Sequence, residues 1–222
     1  AVDPHYHDVS PNNALTLHIF SALGKLDADQ NVQPALASSW SNEDDKTWVF
    51  NLRDDVTFSD GSKFDADDVI FTFCRLMNNE TSVAPTGKEV ANMASVEAVD
   101  PYTLKIVTNE VEPLLPELLS QIMVLSEGTA EHGEITFDLE NQCGVTGEWP
   151  SVEDFNSGEA AIGTGPYVLK DFTKGSKITL EKSPGYWGEA PEWDTVTFIP
   201  VPSAGPRLAG LLSGDYDMIE NP

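Results

Sequence analysis

At 222 residues the chain can bury a substantial core as one or two domains, and 40% hydrophobic content with five Trp and ten Phe argues against a largely disordered polypeptide. Thirty-seven acidic against twelve basic residues give a net charge of −25; nucleic acid and anionic membrane surfaces are disfavoured as partners, because phosphate binding depends on Lys and Arg. The acidity describes a strongly solvated surface, of a kind that suits salty surroundings, before it describes selection of a cationic ligand.

No run approaches the ~18 apolar residues that cross a bilayer. No basic-then-apolar leader is present, so any export signal is expected to lie outside this chain. Residues 1–36 read as a loop leading into a helix, with Asn12 or Asn13 as cap and Leu15, Ile19 and Leu23 as its apolar stripe. Strands occupy Trp40 to Phe58. There Trp48, Phe50 and Leu52 alternate with Val49, Asn51 and Arg53, the period-2 pattern of a half-buried strand. Val56-Thr57-Phe58 reads as a second short strand, and Ser59-Asp60-Gly61-Ser62 as a turn in which Gly61 is free to take positive φ. Asp65 then stands at an N-cap position, with Asp67 and Asp68 where carboxylates suit the free amides of a first turn. Val69, Phe73 and Leu76, at i, i+4 and i+7, make one face of that helix apolar.

Asn78–Gly87 is a polar loop. Asp100-Pro101 turns into a strand at Tyr102–Thr108 with Leu104 and Ile106 inward, Pro113–Gln121 reads as a short helix, and Ile122–Leu125 as an apolar strand. Residues 127–162, rich in Gly, Glu and Asn, read as a surface connection holding one short helix near Val152–Gly158. Tyr167–Phe172 and Lys177–Lys182 form a hairpin around Thr173-Lys174-Gly175-Ser176. A strand at Val196–Val201, a helix at Pro206–Ser213 closed by Gly214, and a last strand at Tyr216–Ile219 complete the chain.

The chemistry-bearing residues point away from catalysis. There is no GxSxG, no Cys/His signature, and too many carboxylates for one acid/base pair to stand out, so no catalytic residue is expected. His5 and His7 with Asp3 and Asp8 include metal-ligating types, but i, i+2 histidines in a loop are a common accident, and no metal is expected. Cys74 and Cys143 fit either one disulfide in an exported protein or, for Cys74, a buried free thiol. Gly163-Thr164-Gly165-Pro166-Tyr167 lacks the GxxxxGK[ST] pattern and leads into a strand, so it is not a phosphate loop. Its glycines and proline set a tight backbone path, and Tyr167, Tyr186 and Trp187 read as core.

The run WVFNLRDDVTFSDGSKFDADDVIFTFCR (48–75) resembles the LR-x-x-V-x-F-x-DG-x-x-x-x-A-x-DV segment of the family 5 extracellular solute-binding proteins, the receptors of dipeptide, oligopeptide and nickel ABC importers. Gly163–Leu169 followed by Leu180-Glu181-Lys182-Ser183-Pro184-Gly185-Tyr186-Trp187-Gly188 is similar to that family's G-T-G-P-Y…L-x-x-N-P-x-Y-W-G, with Ser183 where Asn is usual. Asp3-Pro4-His5, Ile19–Leu23, Pro34–Trp40, and Arg207-Leu208-Ala209 leading to Gly214–Asp217 fall in the family's order.

The resemblance implies an α/β fold of the periplasmic-binding-protein type, class II-like with mixed sheets. In it residues 1–36 and 156–222 form a discontinuous first lobe, and residues 37–155 form an inserted smaller domain. The family continues into a further large lobe where this chain stops, so a fragment without its C-terminal lobe is expected. The implied role is not enzymatic and uses no cofactor. It is the substrate-binding component of an ABC importer, periplasmic or otherwise extracytoplasmic and monomeric at full length. Lobe closure would capture a small solute, with a peptide as the leading ligand, for an ABC permease in the membrane. A sensor or adaptor of the same fold, or a receptor for a sugar or nickel complex, is the alternative. By gapless position in the family, Asp8, Val9 and Ser10 correspond to a pocket segment that pairs with an extended ligand backbone. Val83 and Ala84 lie near a second loop that reaches the ligand.

Overall fold

The computed structural model describes residues 1–6, 10–78 and 87–220. α1 (Ser10–Ile19) starts two residues before Asn12, so both expected capping asparagines lie inside it. Leu15 and Ile19 are buried on its apolar stripe, whereas Leu23 is buried from the connection beyond the helix. A small hairpin follows, β1 (Gly24–Leu26) and β2 (Val32–Pro34), closed by the Asp27 carboxylate accepting the backbone N–H groups of Asp29 and Asn31.

β3 (Ala37–Asp44), β4 (Thr47–Leu52), β5 (Met93–Asp100) and β6 (Thr103–Thr108) form an antiparallel sheet in the order β3-β4-β6-β5. Register pairs Trp48 with Ile106 and Phe50 with Leu104, so the alternation in both strands buries one common face. The strand expected at Val56–Phe58 shrinks to a single bridge, Thr57 to Lys63, around the turn at Gly61 (φ 92°), because the returning chain enters a helix at Ala66. α2 (Ala66–Asn78) follows. Asp65 caps it by accepting the Asp67 amide, and Asp68 accepts the Asp65 amide in return. Val69, Phe73 and Leu76 are buried as expected, but so are Ile70, Phe71 and Cys74 and the polar Asp68, Thr72 and Arg75. The helix is therefore enclosed well beyond one face. α3 (Gly87–Ala91) packs beside it.

α4 (Leu115–Leu119) leads to Ile122–Leu125, which is buried but is not the expected strand. Its backbone is held by single bonds instead: Val124 N–H donates to the Ser21 carbonyl and Leu125 N–H to Thr72 Oγ1. Residues 127–162 are more than a surface connection. Two 3₁₀ segments, Glu127–Thr129 and Leu139–Gly144, and α5 (Val152–Ser157) set Ile135, Cys143, Val145 and Phe155 into the core. Ser151 and Asp154 form a capping box on α5. Cys143 forms a disulfide with Cys74 of α2, across 69 residues of sequence. Closing a loop that long removes about 4 kcal/mol of conformational freedom from the denatured chain on the entropic account. A segment with few apolar residues is thereby held by one cross-link and a few buried plugs.

β7 (Tyr167–Thr173), β8 (Lys177–Lys182) and β9 (Thr195–Phe198) form an antiparallel meander containing the expected hairpin. β9 stops before Pro200, which has no N–H for the ladder. α6 (Ala204–Ser213) ends at Gly214 in the left-handed conformation (φ 82°). Tyr216–Ile219 is not a strand; the Tyr216 amide turns back to the Gly210 carbonyl of α6. Every strand pairing among the described residues is antiparallel. No helix among them is long and apolar enough to cross a membrane.

Candidate binding cleft

A cleft of about 380 Å³ opens where α1, β1 and the Tyr186-Trp187 turn meet, a volume at the small end of the range for small-molecule sites. α1 contributes Asn13, Thr16 and Leu17 to its lining, and the chain just beyond contributes Phe20 and Ser21. Lys25 is the one charged side chain among the described residues that line it. The aromatic side is held at one point: the Thr164 carbonyl accepts both Trp187 Nε1–H (3.0 Å) and Ser21 Oγ–H (3.3 Å). Gly165 makes this junction possible. Its amide donates to the Ile19 carbonyl, and a Cβ there would sit 2.6 Å from the His18 carbonyl oxygen. Arg53 lies over the Trp187 ring, 4.8 Å from its centroid, and pairs with Asp55.

The lining also includes Pro4 and Met123, and next to them in the chain and by hydrogen bonding lies a buried polar network. Arg75, from α2, donates from Nη1 and Nη2 to the two oxygens of Asp3, at 3.0 and 2.7 Å. Its Nη2 also donates to the Pro150 carbonyl, and its guanidinium lies over the Phe155 ring. Nη1 is 3.0 Å from His5 Nδ1. A guanidinium can only donate, so Nδ1 accepts and the ring proton sits on Nε2, which donates to the Met123 carbonyl at 2.9 Å. Burial, and then the adjacent Arg75 charge, lower the His5 pKa to about 4, which keeps the imidazole neutral.

Asp68, on the same helix, accepts the Glu127 and Asp65 amides, while burial lifts its carboxyl to about 8.

Asp8, Val9, Val83 and Ala84 lie outside the described residues; Ser10 opens α1, the helix that lines the cleft. Asp3 and His5 are turned inward onto Arg75, and no group of three or more His, Cys, Asp or Glu among the described residues could hold a metal. Tyr167 is buried, with its hydroxyl donating to the Trp193 carbonyl. Tyr186 and Trp187, expected in the core, are half-buried and line the cleft. Pro4, Ser21 and Met123 were not marked as site residues in the sequence. The first two sit inside the Asp3-Pro4-His5 and Ile19–Leu23 motifs, a signal that was present, whereas nothing local distinguishes Met123.

Residues 31–222 match the family described as bacterial extracellular solute-binding proteins, family 5 Middle. The chain is 27% identical to the periplasmic oligopeptide-binding protein OppA of Escherichia coli, over 100% of this chain and 41% of that protein. It is 31% identical to the nickel-binding periplasmic protein of the same organism, over 98% of this chain and 38% of that protein. The chain thus spans about two-fifths of the length of these curated relatives. Among solved structures, Haemophilus influenzae OppA in complex with RPPGFSPFR superimposes with a TM-score of 0.79 over 97% of this chain and 42% of that one; at 24% identity the likeness shows the fold alone.

Proposed function

Because this chain belongs to the family 5 bacterial extracellular solute-binding proteins, we propose that it supplies part of the receptor of an ABC importer for a peptide-like solute. The observation that carries the reading is the cleft beside α1, walled by the aromatic turn of one family motif and by Pro4 of another. Its described lining offers hydroxyls, amides, aromatic rings and one ammonium, groups that suit a peptide better than a bare metal ion. Asp8, Val9 and Ser10 would extend that surface at the start of α1, and Val83 and Ala84 would approach from a second loop.

Residues 1–36 and 156–222 form one lobe in this reading, with residues 37–155 inserted. The packing of α1 against β7 supports the first unit, and the four-stranded sheet with α2 supports the second. The boundary near residue 155 falls inside α5, so a helix makes the crossing. Binding proceeds by closure of lobes on the solute, a shift of population toward a closed state, followed by delivery to a membrane permease. The buried disulfide fits an oxidising compartment outside the cytoplasmic membrane. At full length the receptor acts as a monomer.

Calorimetric titration of the complete gene product with RPPGFSPFR, shorter peptides, sugars and a nickel–histidine complex tests this. Micromolar or tighter peptide binding is expected. Binding of the nickel complex alone moves the assignment to a metal-complex receptor, a reading that the 31% identity to the nickel-binding protein favours over a sugar. Silence toward every solute sinks the receptor reading and leaves a sensor or adaptor of this fold.

A further inference from the structure

Pro4 and Met123 lie 119 residues apart in sequence, yet both line the cleft. The link between them is the neutral His5 ring. His5 follows Pro4 in the chain, accepts from Arg75 on one side and donates to the Met123 carbonyl on the other. Arg75 cannot follow a moving lining, because Asp3 and the Pro150 carbonyl hold its fork while Phe155 covers its face. The two residues after Met123 are fixed as well, Val124 by the Ser21 carbonyl and Leu125 by Thr72 of α2.

We propose that His5 and Arg75 are positioning residues for ligand binding, with the Arg75–His5–Met123 relay setting the spacing of Pro4 and Met123 in the cleft lining; this rests on the reading of the cleft as the solute site. Neither side chain lines the cleft, so they act through the lining and not by touching solute. The relay requires the Nε2–H tautomer of His5, and that makes it visible without any ligand.

The test uses His5→Ala, His5→Asn and His5→Gln in the complete gene product. Asn can offer its carbonyl near the Nδ1 position toward Arg75, and Gln can offer an amide N–H near Nε2 toward Met123. Ring ¹⁵N shifts of the wild type at pH 7 are expected to show neutral His5 protonated on Nε2. Hydrogen exchange at the His5, Val124 and Leu125 amides, each measured against the wild-type residue at that position, is expected to rise at least tenfold in H5A, with the β7–β8 hairpin unchanged. H5Q is expected to restore protection at Val124 and Leu125 but not at the Asp3 end, and H5N the reverse. RPPGFSPFR affinity should fall about tenfold in H5A through faster dissociation. An Nδ1–H tautomer, unchanged exchange, or acceleration spread evenly over every sheet overturns the relay. If the wild type does not bind RPPGFSPFR, the receptor reading is at fault for that peptide, while the exchange pattern still decides the relay.

Discussion

Two stripes run along α2 one residue apart, Val69-Phe73-Leu76 and Asp68-Thr72-Arg75, and both are buried. The first is held by shape: its atoms gain from leaving water and from close packing, with no single partner specified. The second is held by assignment. Asp68 takes the Glu127 amide, Thr72 takes the Leu125 amide, and Arg75 takes Asp3, His5 and the Pro150 carbonyl. One stripe glues the helix into the core; the other tells three distant chain segments where to stop. Burial alone does not distinguish these jobs. The availability of a partner does.

The sharpest way to break the comparison is to remove bulk from each stripe. Phe73→Ala and Arg75→Ala should each cost about 3–5 kcal/mol in urea unfolding, one through a cavity and the other through an uncompensated buried Asp3. The stripes part under replacements of similar size. Phe73→Leu should cost less than about 2 kcal/mol, whereas Arg75→Met should keep nearly the full loss, because Asp3 is left buried without its ion-pair partner and His5 loses its donor. Equal tolerance at both positions would erase the distinction.

A second test uses pH. His5 has a folded pKa of about 4, below its ordinary 6.5, so between those values the unfolded chain binds a proton that the folded one refuses. Stability relative to His5→Asn should therefore be full above pH 6.5 and fall by about 3 kcal/mol as pH drops to 4. Asp68 works in the opposite sense. Its folded pKa, raised by burial to about 8 from 3.8, makes the folded state hold the extra proton, so its contribution is lost as pH rises across that window. Chemical denaturation of wild type, H5N and Asp68→Asn from pH 4 to 8 separates the two slopes; a flat difference curve for H5N would remove the neutral buried imidazole.

The smallest effect belongs to Thr72→Val, nearly equal in volume yet unable to accept the Leu125 amide. It should cost about 1–3 kcal/mol, while Thr72→Ser, which keeps the hydroxyl, should cost less than about 1 kcal/mol by thermal unfolding.

These stripes also show what could be read before folding. The apolar stripe was legible because periodicity needs only neighbours at i, i+4 and i+7, and the Gly61 turn, the Asp65 cap, the β7–β8 hairpin and the Gly214 helix end were legible for the same local reason. The polar stripe has identical spacing, but nothing in α2 announces Asp3, the Leu125 amide or the Glu127 amide as its partners. Ile122–Leu125 misled in the same way: a buried run looks like a strand until single bonds from Ser21 and Thr72 take the place of a ladder. The motifs around Pro4, Ser21 and Trp187 marked the neighbourhood of the cleft without marking the cleft.

What the chain alone determined, then, is the family, the local elements and the apolar faces that must leave water, because each depends on residues within a few turns of one another or on an ordered set of motifs. Tertiary structure decided the rest: the pairing of Cys74 with Cys143, the tautomer of His5 and the placing of Pro4 and Met123 in one cleft lining. Each of these brings together groups tens of residues apart, and a hydrogen bond or a disulfide acts only at the distance that folding sets.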